Sequence, residues 1–120
     1  MKDETKNPID LKSRTKQFAL RVIRMYGAIP KTEVGRIIGR QLLRSATSVG
    51  AHYRESIRAR SNAEFISKLE VGMQELEESS YWMELLIEGD LIPEKKLASL
   101  LQEADELMAI LVTMVKKVKK

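Results

Sequence analysis

Apolar residues at helical spacing, in stretches bounded by prolines, most constrain what this chain can fold into. Pro8, Pro30 and Pro93 are the three prolines in the 120 residues. Proline is tolerated in the first turn of a helix and disfavoured in its interior. None of the stretches between them shows the sustained two-residue alternation of a half-buried strand. We therefore expect an all-α fold.

The pattern predicts four helices separated by short loops. Gly27 lies where a C′ glycine ends a helix, Thr32 is a suitable N-cap, and Ser61 with Glu64 matches a capping box. The predicted helices run over about Pro8–Tyr26, Thr32–Arg58, Asn62–Glu88 and Pro93–Lys117. Because short loops make neighbouring helices antiparallel, we expect an up-down-up-down four-helix bundle. Residues 1–120 then form a single domain, with a short polar N-terminal segment (1–7) and a basic C-terminal tail (116–120).

Each predicted helix has an apolar stripe that should face the core. The second helix is also rich in small residues around Gly50, so a neighbouring helix can approach it closely. In order of the helices, the expected core residues are Leu11, Phe18, Val22, Met25; Val34, Ile37, Ile38, Leu42, Ser45, Val49, Tyr53, Ile57; Phe65, Leu69, Gly72, Met73, Leu76, Ser80, Met83, Ile87; Leu97, Leu100, Leu101, Ala104, Leu107, Met108, Leu111, Val115.

The sequence lacks the residues that several kinds of functional site require. The chain has no cysteine and a single histidine, His52, so thiolate sites and Glu-x-x-His di-iron sites are excluded. No glycine-rich nucleotide loop is present, and Ser45 and Ser48 lie among small residues typical of helix packing. We expect no enzymatic activity, cofactor or metal, and a structural or interface role for His52. No run of 18 apolar residues and no targeting segment occurs, which favours a cytoplasmic location.

The net charge of +4 conceals a strong segregation of charge along the chain. Residues 1–30 carry +4, residues 31–60 carry +5, residues 61–90 carry −7 and residues 91–120 carry +2. A hairpin that turns near residues 59–62 places Arg44 near Glu77 and Glu78, and Arg36 near Glu84 and Glu88. In the same turn, Glu55 could pair with Arg58 or with Lys68.

The basic residues of the first two helices therefore allow three interpretations. They could pair with the acidic third helix, bind the phosphates of a nucleic acid, or contact another subunit. The basic tail could equally be a solvated helix end or attract a nucleic acid. The candidate nucleic-acid-binding residues are Arg14, Arg21, Arg24, Arg36, Arg40 and Arg44.

The third predicted helix has more apolar surface than one core face needs. At about 100° per residue, Trp82 lies about 120° from Leu76, the centre of the core stripe. Trp82 could cover the edge of the core or anchor a subunit interface, where tryptophan is a preferred residue. We favour the interface. The predicted oligomer interface comprises Val71, Trp82, Leu85 and Leu86.

The residues of the second and third helices resemble a known family. Residues 41–55, QLLRSATSVGAHYRE, are similar to the signature Q-I-R-R-A-A-x-S-I-x-A-N-I-x-E-G of the four-helix bundle proteins first described as ribosomal RNA intervening-sequence proteins. Ser61, Glu64, Phe65 and Leu69 resemble the family's S-x-x-E-F-x-x-x-L, and residues 75–86, ELEESSYWMELL, resemble its E-x-x-E-T-x-Y-W-L-E-L-L. Two positions depart from the signature, with His52 in place of asparagine and Ser56 in place of glycine.

The resemblance implies a small cytoplasmic bacterial protein that often forms a ring-shaped homopentamer. The chain is also similar to the accessory variability protein of diversity-generating retroelements. That similarity implies a basic pentameric barrel that binds nucleic acid and a reverse transcriptase. Under the resemblance, Gln41, Arg44, Ser48 and Glu55 are structural or interface residues.

The sequence thus favours a non-enzymatic homo-oligomeric scaffold that binds RNA or DNA through its basic helices. The alternative is a protein–protein interaction adaptor with no role for nucleic acid.

Overall fold

The computed structural model describes residues 10–119 and contains the four expected helices. They are α1 (Leu11–Tyr26), α2 (Glu33–Ser56), α3 (Asn62–Glu88) and α4 (Glu94–Lys119). The predicted start of the first helix at Pro8 lies outside the described residues, as do the segment 1–7 and Lys120. No strand occurs within residues 10–119. The prediction of an all-α fold is confirmed.

Side chains before the first turns fix where three of the helices begin. The Asp10 carboxylate accepts a hydrogen bond from the Ser13 amide at 3.2 Å, Thr32 caps the Gly35 amide at 3.1 Å, and Ser61 caps the Glu64 amide at 3.1 Å. Each bond satisfies an amide that has no partner within its helix. Thr32 and Ser61 are the predicted caps. The Asp10 cap was not predicted, because the first helix was expected to begin at about Pro8.

The helices pack as an antiparallel up-down-up-down bundle, as predicted. Each helix packs against the next in sequence, and α4 returns to α1. The predicted pairs Glu55–Lys68 at 3.1 Å, near the turn, and Arg44–Glu78 at 3.2 Å, farther along, show the register of α2 against α3. Arg44 also lies 3.9 Å from Glu75, and not beside the predicted partner Glu77. The reason is rotational, since Glu75 and Glu77 lie on opposite sides of the α3 core stripe.

The core contains most of the predicted apolar stripe, with corrections on α2 and α3. Val34 and Ile37 are 55% and 52% exposed. Ile37 lies about 140° around the helix from the buried Leu42, so the stripe drawn from the sequence was too broad. Ile57 is 47% exposed because α2 ends at Ser56. Conversely, Leu86 is fully buried in the core, so its place in the predicted subunit interface was wrong.

Glycines of α2 face α1 and the α1–α2 loop, and their lack of a side chain lets α2 approach both closely. A Cβ atom added at Gly35 would overlap the backbone carbonyl oxygen of Pro30 in the α1–α2 loop. At Gly50, an added Cβ would lie 3.0 Å from Oγ1 of the buried Thr15 on α1. Glycine at these positions costs helix propensity of about 1 kcal/mol each relative to alanine. The cost is offset by burial along the α1–α2 contact.

A pair of buried serines joins α2 to α3. The hydroxyl groups of Ser45 and Ser79 are 2.8 Å apart, and neither residue is exposed to solvent. Each hydroxyl also contacts a carbonyl in its own helix, of Leu42 at 3.2 Å and of Glu75 at 2.9 Å. Because both polar groups are satisfied, they can be buried without the penalty of an unpaired hydroxyl. Ser45 is therefore a packing residue, as predicted, and the buried serine of α3 is Ser79 rather than the predicted core residue Ser80.

A charged contact joins α1 to α4. Arg14 donates to both carboxylate oxygens of Glu103, at 3.0 Å from Nε and 2.8 Å from Nη2, and Nη2 also donates to Glu106 at 2.9 Å. The side chains of Arg14 and Glu103 are 24% and 18% exposed. The two-point geometry matches the planar guanidinium to the planar carboxylate. Arg14 is therefore engaged in holding the first and last helices together.

We expect Gly35→Ala to destabilise the protein by about 1–3 kcal/mol, because the new methyl group meets rigid backbone at Pro30. Gly72→Ala is the matched control, since its Cβ would lie 3.6 Å from His52 Cβ, an ordinary contact. The control should be neutral or gain up to about 1 kcal/mol of helix propensity. Urea unfolding followed by circular dichroism measures both. Equal effects of the two variants would contradict the close contact at Gly35.

We expect Arg14→Ala to lower the free energy of unfolding by about 1–2 kcal/mol, because it removes a half-buried, two-point ion pair. Glu106→Gln changes the more exposed partner and should cost less than about 0.5 kcal/mol. The same urea unfolding experiment measures both variants. An Arg14→Ala protein of unchanged stability that binds nucleic acid less well would restore the assignment of Arg14 to a nucleic-acid site.

Candidate nucleic-acid interface

The six arginines predicted to bind nucleic acid lie on three different sides of the bundle. Two of them are held by carboxylates: Arg14 by Glu103 and Glu106, and Arg44 by Glu78. These pairs lie at the α1–α4 and α2–α3 edges of the bundle. The structure thus does not bring the six residues together into one site.

Arg21 and Arg24 line a cleft between α1 and the start of α4. Lys96 and Ser99 line the same cleft from α4. The Arg21 guanidinium donates to the Ser99 hydroxyl at 2.6 Å, whereas Arg24 is exposed. The cleft is basic and faces away from α2. It is therefore separate from Arg36, Arg40 and Arg44, whereas Arg14 lies on the same α1–α4 side.

Arg36 and Arg40 lie one turn apart on the outer side of α2. Both line a groove that also includes Lys31 and the α1–α2 loop. The predicted contact of Arg36 with Glu84 and Glu88 is wrong, because Arg36 lies on the α1 side of α2 and not on the α3 side. Within residues 10–119, neither Arg36 nor Arg40 forms an ion pair.

A second basic groove lies at the opposite end of the same two helices. Lys12, Lys16 and Arg54 line it, together with Asp10, Ser13 and Gln17. These three cations are not among the arginines predicted to bind nucleic acid. The spacing of Lys12 and Lys16, one turn apart on α1, places them on the same side of the helix. The proximity of Arg54 could not be found from spacing, because it depends on the register of α2 against α1.

Together these residues form what we call the α1–α2 basic face. All of its cations are exposed. Its members are Lys12, Lys16, Lys31, Arg36, Arg40 and Arg54.

Carboxylates are sparse on this face. Asp10 lies at one border and is engaged in capping α1, and Glu33 lies at the other border, in the first turn of α2. Glu55 pairs with Lys68 on α3. Because the acidic residues of α3 lie on another side of the bundle, they leave most of the positive charge of this face uncompensated.

Within residues 10–119, two groups have shifted pKa values. The hydrogen bonding of the Arg14 guanidinium to the Glu103 carboxylate is the largest cause of the raised pKa of Arg14, and it outweighs the lowering effect of burial. Arg14 therefore stays charged at neutral pH. Burial is the main cause of the raised pKa of Tyr53, and the nearby charge of Asp10 adds to it. Neither group is a candidate proton donor or acceptor near neutral pH.

The four residues of the predicted oligomer interface differ in burial. Val71, Trp82 and Leu85 are half-buried, whereas Leu86 is in the core. The indole Nε1 of Trp82 is buried and has no hydrogen-bond partner among residues 10–119, and the side chain packs against the core. Leu85 instead lines an open apolar groove. The other apolar residues of that groove are Val34, Ile38 and Leu91.

His52 has a local partner and no metal-binding neighbours. Its Nδ1 atom lies 3.0 Å from the carbonyl oxygen of Ser48, one turn earlier. In the described part of the chain, no group of three or more potential metal ligands occurs. None of the described helices is long and apolar enough to cross a membrane.

Two comparisons connect this bundle to known proteins. The sequence matches the 23S rRNA-intervening sequence protein family over residues 8–113. The fold is similar to the 1.70 Å crystal structure of a protein with unknown function from the S23 ribosomal protein family of Bacteroides thetaiotaomicron VPI-5482. The TM-score is 0.82 and the sequence identity 33%, over 88% of this chain and 98% of that chain. No match was found among curated proteins.

The match covers α1, α2, α3 and most of α4, including the residues that carried the resemblance at positions 41–55 and 75–86. The chain therefore belongs to the 23S rRNA-intervening sequence protein family.

Proposed function

We propose that this protein is a non-enzymatic scaffold that binds RNA or DNA through the α1–α2 basic face and acts as a homo-oligomer. The observation that carries the proposal is the exposure of six cations on one face with few carboxylates among them. Cations already paired within the fold gain little from a polyanion, whereas unpaired cations release counterions from nucleic acid when they bind it. The family description, which refers to a 23S rRNA intervening sequence, is consistent with this role.

The oligomer in this proposal forms through the side of the bundle that carries α2 and α3. Val34 and Ile37 are more than half exposed there, and Val34 lines the same groove as the predicted interface residue Leu85. Exposed apolar groups that share a groove favour association. A ring of five copies is the assembly that the family resemblance implies. Such a ring would repeat the α1–α2 basic face and increase the avidity for a long polyanion.

An adaptor role is the second candidate, favoured by the same apolar groove. In that case Val34, Leu85 and Leu91 would contact a different protein, of which a reverse transcriptase is the example that the resemblance suggests. A partner that is recovered after nuclease treatment, and lost in a Leu85→Lys variant, would favour the adaptor. Retention of nucleic acid by the isolated protein would favour the scaffold.

We expect Arg36→Glu combined with Arg40→Glu to weaken binding to nucleic acid by about tenfold or more at low salt, because two attractive contacts become repulsive. Fluorescence anisotropy with a labelled mixed-sequence RNA measures the affinity. The matched control is Arg60→Glu with Lys95→Glu, which makes the same change of charge at exposed positions outside the α1–α2 basic face and the basic tail.

The control should keep most of the wild-type affinity, and circular dichroism should show equal helix content in both variants. Equal loss in the two variants would mean that binding follows net charge alone. A wild-type protein that binds no RNA or DNA at low salt would overturn the proposal.

We expect the native mass to be a multiple of the 13.7 kDa chain mass, and about five times that mass for a ring of five. Val34→Lys combined with Leu85→Lys should reduce the mass toward that of one chain, because two charges would enter an apolar contact. Val34 is more than half exposed, so its replacement should leave the fold intact. Native mass spectrometry checks both expectations. A monomeric wild type would contradict the oligomer.

A further inference from the structure

The positive charge of the α1–α2 basic face is divided into two clusters. One cluster is Lys31, Arg36 and Arg40, beside the α1–α2 loop, and the other is Lys12, Lys16 and Arg54, at the opposite end of the helix pair. Arg40 and Arg54 are separated by 14 residues of α2, which corresponds to about 21 Å at 1.5 Å per residue. The two clusters therefore cannot contact the same phosphate.

Within residues 10–119, helical periodicity places uncharged residues on the surface between the clusters. On α1 they are Ala19 and Ile23, and on α2 they are Leu43 and Thr47. Ile23 is 48% exposed. We call these four residues the neutral middle. A nucleic acid that lies along this face meets cations at two places and an uncharged surface between them.

A duplex suits this arrangement better than a single strand does. The two backbones of a duplex form separate rows of phosphates bordering a groove, and the major groove of B-DNA is about 12 Å wide even before the thickness of the backbones is added. Two cation clusters can each contact one row while the neutral middle spans the groove. A single strand is typically bound by a continuous positive groove that follows its backbone. The neutral middle interrupts such a path.

The positions of the aromatic side chains also favour a duplex over a single strand. Proteins that bind single strands stack the bases on exposed aromatic rings. Tyr81 is the exposed aromatic residue in the described chain, and it lies on α3, away from this face. Tyr26 borders one cluster, but it packs against the core. The remaining aromatic residues are buried or packed against the core: Phe18, Tyr53, Phe65 and Trp82.

We infer that the α1–α2 basic face selects double-stranded over single-stranded nucleic acid and recognises the backbones without reading the sequence. This inference rests on the proposed function and adds the class of ligand to it. Binding by shape and phosphate contacts, without reading of base edges, is how double-stranded RNA is recognised by other proteins. RNA and DNA duplexes share the paired rows of phosphates that the two clusters require.

The test compares four probes by fluorescence anisotropy on the full chain: a 20-bp RNA duplex, a 20-bp DNA duplex, and one unstructured strand of each. Titrations at several salt concentrations give the affinity and its salt dependence. We expect at least one duplex to bind about tenfold or more tightly than its own single strand. We also expect duplexes of different sequence to bind equally, since base edges are not contacted.

Two double variants test whether both clusters take part. Lys16→Glu with Arg54→Glu changes one cluster, and Arg36→Glu with Arg40→Glu changes the other. Each should weaken duplex binding by about tenfold or more and reduce the magnitude of the salt slope by about 2, because each removes two phosphate contacts. The control, Arg60→Glu with Lys95→Glu, should leave the preference for duplex unchanged. Circular dichroism confirms that each variant is folded.

The possible failures have different meanings. If single strands bind as tightly as duplexes, the inference is wrong while the proposed binding of nucleic acid stands. If the Lys16 and Arg54 variant binds duplex as the wild type does, the two-cluster contact is wrong. If no probe binds at low salt, both the inference and the proposed function fail.

Discussion

The close contact of α2 with both of its neighbours is the constraint on which the rest of this structure depends. Gly35 admits the Pro30 carbonyl and Gly50 admits Thr15, so the α1–α2 loop and α1 itself lie tightly against one side of α2. On the other side, the hydroxyl groups of Ser45 and Ser79 meet inside the bundle. Small side chains allow these approaches, and large apolar residues elsewhere fill the core around them. The register of all the charged side chains follows from these contacts.

That register determines which cations of the first two helices lie beside carboxylates and which do not. Arg44 faces α3 and is held by its carboxylates, whereas Arg14 faces α4 and is held by Glu103. Arg36 and Arg40 lie on the outer side, where α3 does not reach. The same sequence of basic residues therefore supplies both the electrostatic contacts within the fold and a surface on which positive charge stays uncompensated. Pairing with the acidic third helix is confirmed for Arg44, whereas binding of nucleic acid by Arg36 and Arg40 stays a proposal.

The two surfaces that bear on function lie on different sides of the bundle. The α1–α2 basic face carries the proposed contact with nucleic acid, while the apolar groove at Val34 and Leu85 lies between α2 and α3. Self-association through the groove would leave the basic face open. Binding of nucleic acid and formation of an oligomer are thus compatible in this geometry. Both use α2, which makes this helix the shared element of the proposed functions.

The sequence by itself determined the four helices, their antiparallel order and most of the core, because these depend on local spacing, caps and short loops. It also indicated the pairs Glu55–Lys68 and Arg44–Glu78, since a short turn sets the register nearby. Only the tertiary structure decided that Leu86 is buried and Ile37 exposed, because the width of a buried stripe depends on where the neighbouring helices lie. Likewise, the grouping of Lys12, Lys16 and Arg54 required α1 and α2 to be brought together, since these residues are about 40 positions apart in the chain. A charge count along the sequence cannot show which cations lose their carboxylate partners, because that depends on which helices share an edge of the bundle.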